Sequence, residues 1–91
     1  MHGNDYRTAL PRPNELRVLR ELQETGGWWK ANELTQYSGV KLTHVYTYLM
    51  RMSKRGYVRG DGPARDRWYR ITPLGRKAVR LVEQVERLGA R

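Results

Sequence analysis

Cysteine and phenylalanine are absent from this 91-residue chain, proline occurs only four times, and acidic side chains are scarce, nine against eighteen Lys and Arg. Without cysteine there can be no disulfide, no thiolate metal site and no cysteine nucleophile, so the fold must be held by its core. No apolar run approaches the roughly 18 residues of a membrane helix, and the first residues lack the apolar stretch of a signal peptide. The expectation is a soluble, cytoplasmic protein. The missing phenylalanine means that all nine aromatics, six Tyr and three Trp, carry a polar tip. The length excludes a multidomain enzyme, because a folding unit takes on the order of 100 residues.

What is present is positive charge, and it is unevenly placed. The formal net charge is +9. The first 39 residues hold five basic and five acidic side chains, and the remainder thirteen and four. A surface of this kind seeks a polyanion, and its one-sided distribution assigns that task to the second half.

Residues 1–13 contain Gly, Asn, Asp and two Pro without apolar periodicity and read as a flexible arm. From Asn14, a candidate N-cap, Leu16, Leu19 and Leu22 with Val18 line one side of a helix that Gly26 and Gly27 stop. Trp28 and Trp29 follow in a short extended stretch. Ala31, Leu34 and Tyr37 suggest a second, shorter helix ending at Gly39. The segment from Lys41 to about Arg55 places Val45, Leu49 and Met52 on one face with Tyr48 at its edge, and Thr43, Tyr46, Thr47, Met50 and Lys54 opposite. Tyr57 to Arg59 and Arg67 to Ile71 read as two strands of a hairpin with a turn-rich tip, Gly60-Asp61-Gly62-Pro63. Thr72 as N-cap and Pro73 at the first helical position open a last helix. In it Leu74, Ala78, Leu81, Val85 and Leu88 form a seam that Val79 and Val82 widen.

This order is that of the winged helix-turn-helix, a mostly α fold with a small antiparallel β wing, in which the third helix enters the major groove. The run Leu34 to Val40, then Val45-Tyr46, Leu49, Met52 and Arg55-Gly56-Tyr57-Val58, resembles winged-helix bacterial repressors. Tyr69-Arg70-Ile71-Thr72-Pro73-Leu74-Gly75-Arg76 resembles the end of the wing and start of the dimerisation helix in the PadR-like branch. The resemblance spans roughly residues 14–88. It implies a sequence-specific regulator of double-stranded DNA, a repressor of bacterial or phage origin acting as a homodimer, without catalysis. The last helix is short beside those of longer relatives, which reduces the surface for dimerisation and for a small-molecule effector. The domain division that follows is an arm (1–13), a DNA-binding domain (14–72) and a dimerisation helix (73–91).

Particular residues take roles within that reading. Thr43, Tyr46, Thr47 and Met50 offer hydroxyls and apolar tips to base edges and thymine methyls, with His44 on the rim. Lys41, Arg51, Lys54 and Arg55 flank them and suit phosphates, which position a helix without reading sequence. Arg59, Arg65 and Arg67 of the wing, with Arg70 beside them, suit a narrow minor groove. Leu74, Ala78, Leu81, Val82, Val85 and Leu88 are the candidate dimer interface. Trp68 should lie outward, stacked on a sugar or covering the sheet. Adjacent strand residues point to opposite faces, so one of Trp28 and Trp29 enters the core. The other packs on the first helix, meets a second copy, or walls an apolar effector site.

Other chemistries find no support. Ser38 and Ser53 sit in no nucleophile elbow. Gly60-Asp61-Gly62 lacks the strand, lysine and helix of a phosphate loop. His2 and His44 make no metal set, and no cofactor is implied. Arg76, Lys77 and Arg80 on the last helix share its polar face with Glu83 and Glu86, against a membrane-surface role. The alternative function is an architectural or protein-interaction module that uses the same fold without reading sequence; RNA binding has no motif behind it.

Overall fold

The computed structural model describes residues 10–64 and 66–89. Its elements are α1 (Pro13–Thr25), β1 (Trp29–Lys30), α2 (Ala31–Ser38), α3 (Leu42–Lys54), β2 (Val58–Asp61), β3 (Trp68–Ile71) and α4 (Pro73–Gly89). Most of the flexible arm expected over 1–13 lies outside the described residues, and Pro11 at its end is buried.

Helix α1 begins two residues earlier than its sequence suggests, and Arg12, not Asn14, is its N-cap. The reason is local. Pro13 fits the first helical position, where no N–H is needed, and this puts Glu15 third, where its Oε1 accepts the Arg12 backbone N–H at 3.0 Å. From there Leu16, Val18, Leu19 and Leu22 all point inward, each stabilising the core by about 1.5–3 kcal/mol. In α2, Ala31 and Leu34 are buried as expected, but Tyr37 is exposed and Ser38 takes the inward place. Tyr37 instead meets Trp29 in a T-shaped contact, ring centroids 5.4 Å apart and planes at 87°.

The turn between α2 and α3 depends on Gly39, whose φ of 76° is left-handed and costs a side-chain-bearing residue strain. Its N–H returns to the Thr35 carbonyl at 3.1 Å, and Arg17 of α1 donates to the Ser38 carbonyl at 2.8 Å. The end of α2 is thus tied to α1, which fixes where α3 can start. Helix α3 seats Val45, Leu49 and Met52 fully in the core, as its spacing predicts.

The sheet has three strands rather than a two-stranded hairpin, in the order β1-β3-β2, all antiparallel. The Trp28-Trp29 stretch supplies the extra edge, with Trp29 opposite Tyr69 and Lys30 opposite Trp68. Trp29 packs against the core, and its indole N–H donates to the Gly26 carbonyl at 2.7 Å, whereas Trp28 is exposed. Thr72 caps α4 as predicted, its Oγ1 accepting the Gly75 N–H at 3.0 Å. Helix α4 then lies on α1, where Arg20 meets Glu83 at 3.4 Å and Glu86 at 3.2 Å.

Candidate nucleic-acid interface

The outer side of α3 carries Thr43, His44, Tyr46 and Met50, all exposed, with Lys41 at its N-cap. Tyr46 and Met50 are 44% and 55% exposed, large side chains left in solvent by a helix whose other face is completely buried. Thr47 is half-buried, and its hydroxyl donates to the Thr43 carbonyl one turn back at 3.1 Å. His44 turns toward the other rim, its ring 6.1 Å from that of Tyr48.

Between α3 and the wing runs an open groove of about 420 Å³, lined by Tyr46, Met50, Ser53 and Lys54 from the helix and by Ala64, Arg67 and Tyr69 from the hairpin. A second hollow continues it past Tyr46 toward the start of α2, lined by Lys30, Asn32, Leu42, Asp66 and Arg67 among others. Lys30 is ion-paired there with Asp66. Ser53, Asn32 and Ala64 were not singled out from sequence as part of this face. Ser53 is recoverable, since it lies three residues after Met50 and seven after Tyr46 and so shares their side of the helix. The other two depend on how α2 and the hairpin dock.

The basic residues expected around this face divide sharply. Lys54 and Arg67 face the groove, Arg67 also donating from Nε to the Gly62 carbonyl at 3.2 Å. Arg55, expected to hold phosphate, is instead half-buried and donates from Nη1 to Glu15 Oε1 at 3.3 Å, forty residues away in sequence. Glu15 is only 1% exposed and recruits Arg51 as well, at 4.0 Å. Arg59 projects from the opposite face of the sheet, alongside its cross-strand partner Arg70, so it does not line the groove. Arg65 lies outside the described residues.

Burial also shapes the groove floor. It pushes the Tyr69 phenol above its usual range, the nearby Arg67 opposing this and Tyr46 adding to it.

The last helix separates its apolar residues into two stripes. Ala78 and Val79 are buried and Val82 packs partly against the core, so Ala78 and Val82, expected in an open seam, serve this domain's own packing. Leu74, Leu81, Val85 and Leu88 remain outside, the last two 60% and 71% exposed. Among the described residues no group of three or more His, Asp or Glu is arranged to hold a metal ion, and no helix is long and apolar enough to cross a membrane.

No family model matches the chain, and no curated protein is found similar to it. Solved structures do resemble it. The YusO protein of Bacillus subtilis superposes with a TM-score of 0.76 at 18% identity, over 97% of this chain and 64% of that one. BpsR of Bordetella bronchiseptica, whose DNA binding is regulated by 6-hydroxynicotinic acid, gives 0.73 at 17% identity over 93% and 70%. A mutant of MarR from E. coli, solved in complex with operator DNA, gives 0.68 at 19% over 79% and 53%. The chain thus spans 53% to 70% of the length of these three proteins. With the element order, the capped turn between α2 and α3 and the hairpin beside α3, these likenesses identify the fold of this chain as a winged helix-turn-helix.

Proposed function

We propose that this protein is a sequence-specific double-stranded DNA-binding regulator in which α3 enters the major groove and the hairpin flanks it. The observation that carries the reading is the groove between α3 and the wing. A helix in the major groove with a hairpin over the adjacent minor groove must straddle one sugar-phosphate strand. Here the space between the two elements is lined by Lys54, Arg67, Ser53 and the Tyr46 side chain, the cations and hydroxyls that a phosphate strand needs. The +9 charge, all of it arising after residue 39, supports the same partner. Tyr46, Thr43 and Met50 then read bases, Lys41, Lys54 and Arg67 hold phosphates, and Arg55 acts through Glu15 to orient the end of α3. Thr47, its hydroxyl proton given to the Thr43 carbonyl, offers bases its acceptor lone pairs and its methyl.

The regulator acts as a homodimer on this reading, through the outer stripe Leu74, Leu81, Val85 and Leu88, which supports a two-fold operator with half-sites about one helical turn apart. Repression follows from occupancy of such an operator. The Tyr69 to Arg76 run, strand end and capped helix start, supports the PadR-like branch as the narrower affinity.

Selection of bound duplexes from a random pool tests the proposal. A consensus that changes with Tyr46→Ala and persists with Lys54→Ala is expected. Lys54→Ala and Arg67→Ala should each lower the slope of log K against log salt by about 0.9. An absent consensus, with binding that collapses in salt alike for every sequence, would leave the architectural alternative in its place.

A further inference from the structure

The solvent face of the sheet, turned away from the groove except where Lys30 reaches the second hollow, carries an arrangement that duplex binding does not use. Register places Lys30 opposite Trp68 and Trp29 opposite Tyr69, so Trp28 and Arg70 are neighbours on the outer face. Each cross-strand pair joins an indole and a cation. The Arg70 guanidinium lies 5.4 Å from the Trp28 ring centroid, and Lys30 Nζ lies 4.8 Å from that of Trp68. The two indoles are on a diagonal, the spacing at which large side chains on a sheet still meet. Both are substantially exposed, 37% and 40%, and with Asp61 they line an open cleft of about 320 Å³. No aliphatic side chain shares that face with them: Lys30, Arg59, Asp61, Trp68 and Arg70 complete it on the three strands.

One further feature states the sign of the occupant. Arg59 stands directly across from Arg70, and like charges in that position destabilise a strand pair unless an anion lies between them. Lys30 is already matched by Asp66, and Asp61 is engaged by the Gly62 N–H at 3.1 Å through one oxygen only. The surplus on this face is therefore positive and concentrated beside the aromatic rings.

We propose that the outer face of the wing sheet is a second nucleic-acid site, binding a single strand by stacking two bases on Trp28 and Trp68 while Arg59 and Arg70 clamp a phosphate between them. Aromatic rings interleaved with cations on a sheet, without aliphatic surroundings, form a stacking platform for unpaired bases. The like-charged pair Arg59 and Arg70 calls for an anion between them, which a nucleic-acid strand supplies at every nucleotide beside the base that stacks. Asp61 lines the cleft, and its carboxylate, with one oxygen not engaged by Gly62, can accept from the exocyclic amino group of cytosine while it disfavours the carbonyl of thymine or uracil.

Titration of the full chain with short oligodeoxycytidine, oligothymidine and oligocytidine ribonucleotide at physiological salt, followed by tryptophan quenching and by anisotropy of labelled strands, tests this site. Oligodeoxycytidine should bind more tightly than oligothymidine. Trp28→Ala and Trp68→Ala should each weaken it roughly five- to 150-fold, while Trp68→Phe keeps most of the affinity. Asp61→Asn should erase the preference for cytosine, and Arg59→Glu, an exposed change that leaves the core intact, should abolish binding. The ribonucleotide arm separates DNA from RNA as the natural strand, a 2′-hydroxyl contact being the only difference between the two probes. Unchanged affinity in Arg59→Glu, or in folded Trp28→Ala and Trp68→Ala, would overturn the proposal. So would an equal loss in Lys54→Ala and Arg67→Ala, which would put the strand in the duplex groove, or binding of an oligoglutamate peptide to this face where no oligonucleotide binds.

Discussion

Removing the Glu15 carboxylate should cost this fold more than removing any single exposed charge. The group is 1% exposed, caps α1 by accepting the Arg12 N–H at 3.0 Å and accepts from Arg55 of α3 at 3.3 Å. Loss of a helix-capping interaction is worth about 0.5–2 kcal/mol. Breaking a buried ion pair costs about 3–5 kcal/mol when the remaining charge is trapped. Here the remaining charges are not trapped, since the Arg55 and Arg51 side chains are 28% and 50% exposed and can turn to water. The pair contribution therefore falls toward or below the low end, and Glu15→Ala should destabilise by about 3 kcal/mol in all. For a domain of this size that lowers Tm by about 12–24 °C. Glu15→Gln keeps the capping acceptor and loses the charge, so about 1–2 kcal/mol is expected. Thermal unfolding of both variants, with Arg55→Ala completing a double-mutant cycle, measures the terms separately. A Glu15–Arg55 coupling below about 0.5 kcal/mol would refute the argument that this carboxylate fastens the end of α3.

Three further outcomes follow from the same structure. A Cβ at Gly75 would fall almost on the Tyr57 carbonyl oxygen and 2.7 Å from Ile71 Cγ1, so Gly75→Ala should destabilise by about 3 kcal/mol, the top of the overpacking range, as read by denaturant unfolding. Burial raises both the Tyr57 and Tyr69 phenols above their ordinary 10.0, so the folded chain holds these protons more tightly than the unfolded one. That contribution is complete below pH 10 and is lost as pH climbs through the raised values; Tyr69→Phe should flatten the alkaline decline in stability. Finally, Leu81→Glu with Val85→Glu should convert a dimer to a monomer in sedimentation while leaving the helix content unchanged, because both positions are exposed in the single chain; a dimer that persists would move the contact away from α4.

The elements written into local sequence were those whose signals repeat along the chain or sit side by side. Val45, Leu49 and Met52 recur at the helical period and are the fully buried face of α3; Thr72 and Pro73 cap and start α4 through groups within one turn. The same period could not say which of two apolar stripes on α4 faces home, because Ala78 and Val82 fit a seam as well as Leu81 and Val85 do. That choice was made by the docking of α4 on α1, fastened by Arg20. Arg55 shows the limit most plainly. Next to Lys54 it reads as another phosphate ligand, and only the fold brings Glu15 to it from forty residues away, where burial of the carboxylate makes a paired cation necessary. Arg59 likewise has the composition of a wing contact, but strand alternation sends it to the face opposite Tyr69, and which face looks onto the groove was decided by the packing of the hairpin beside α3.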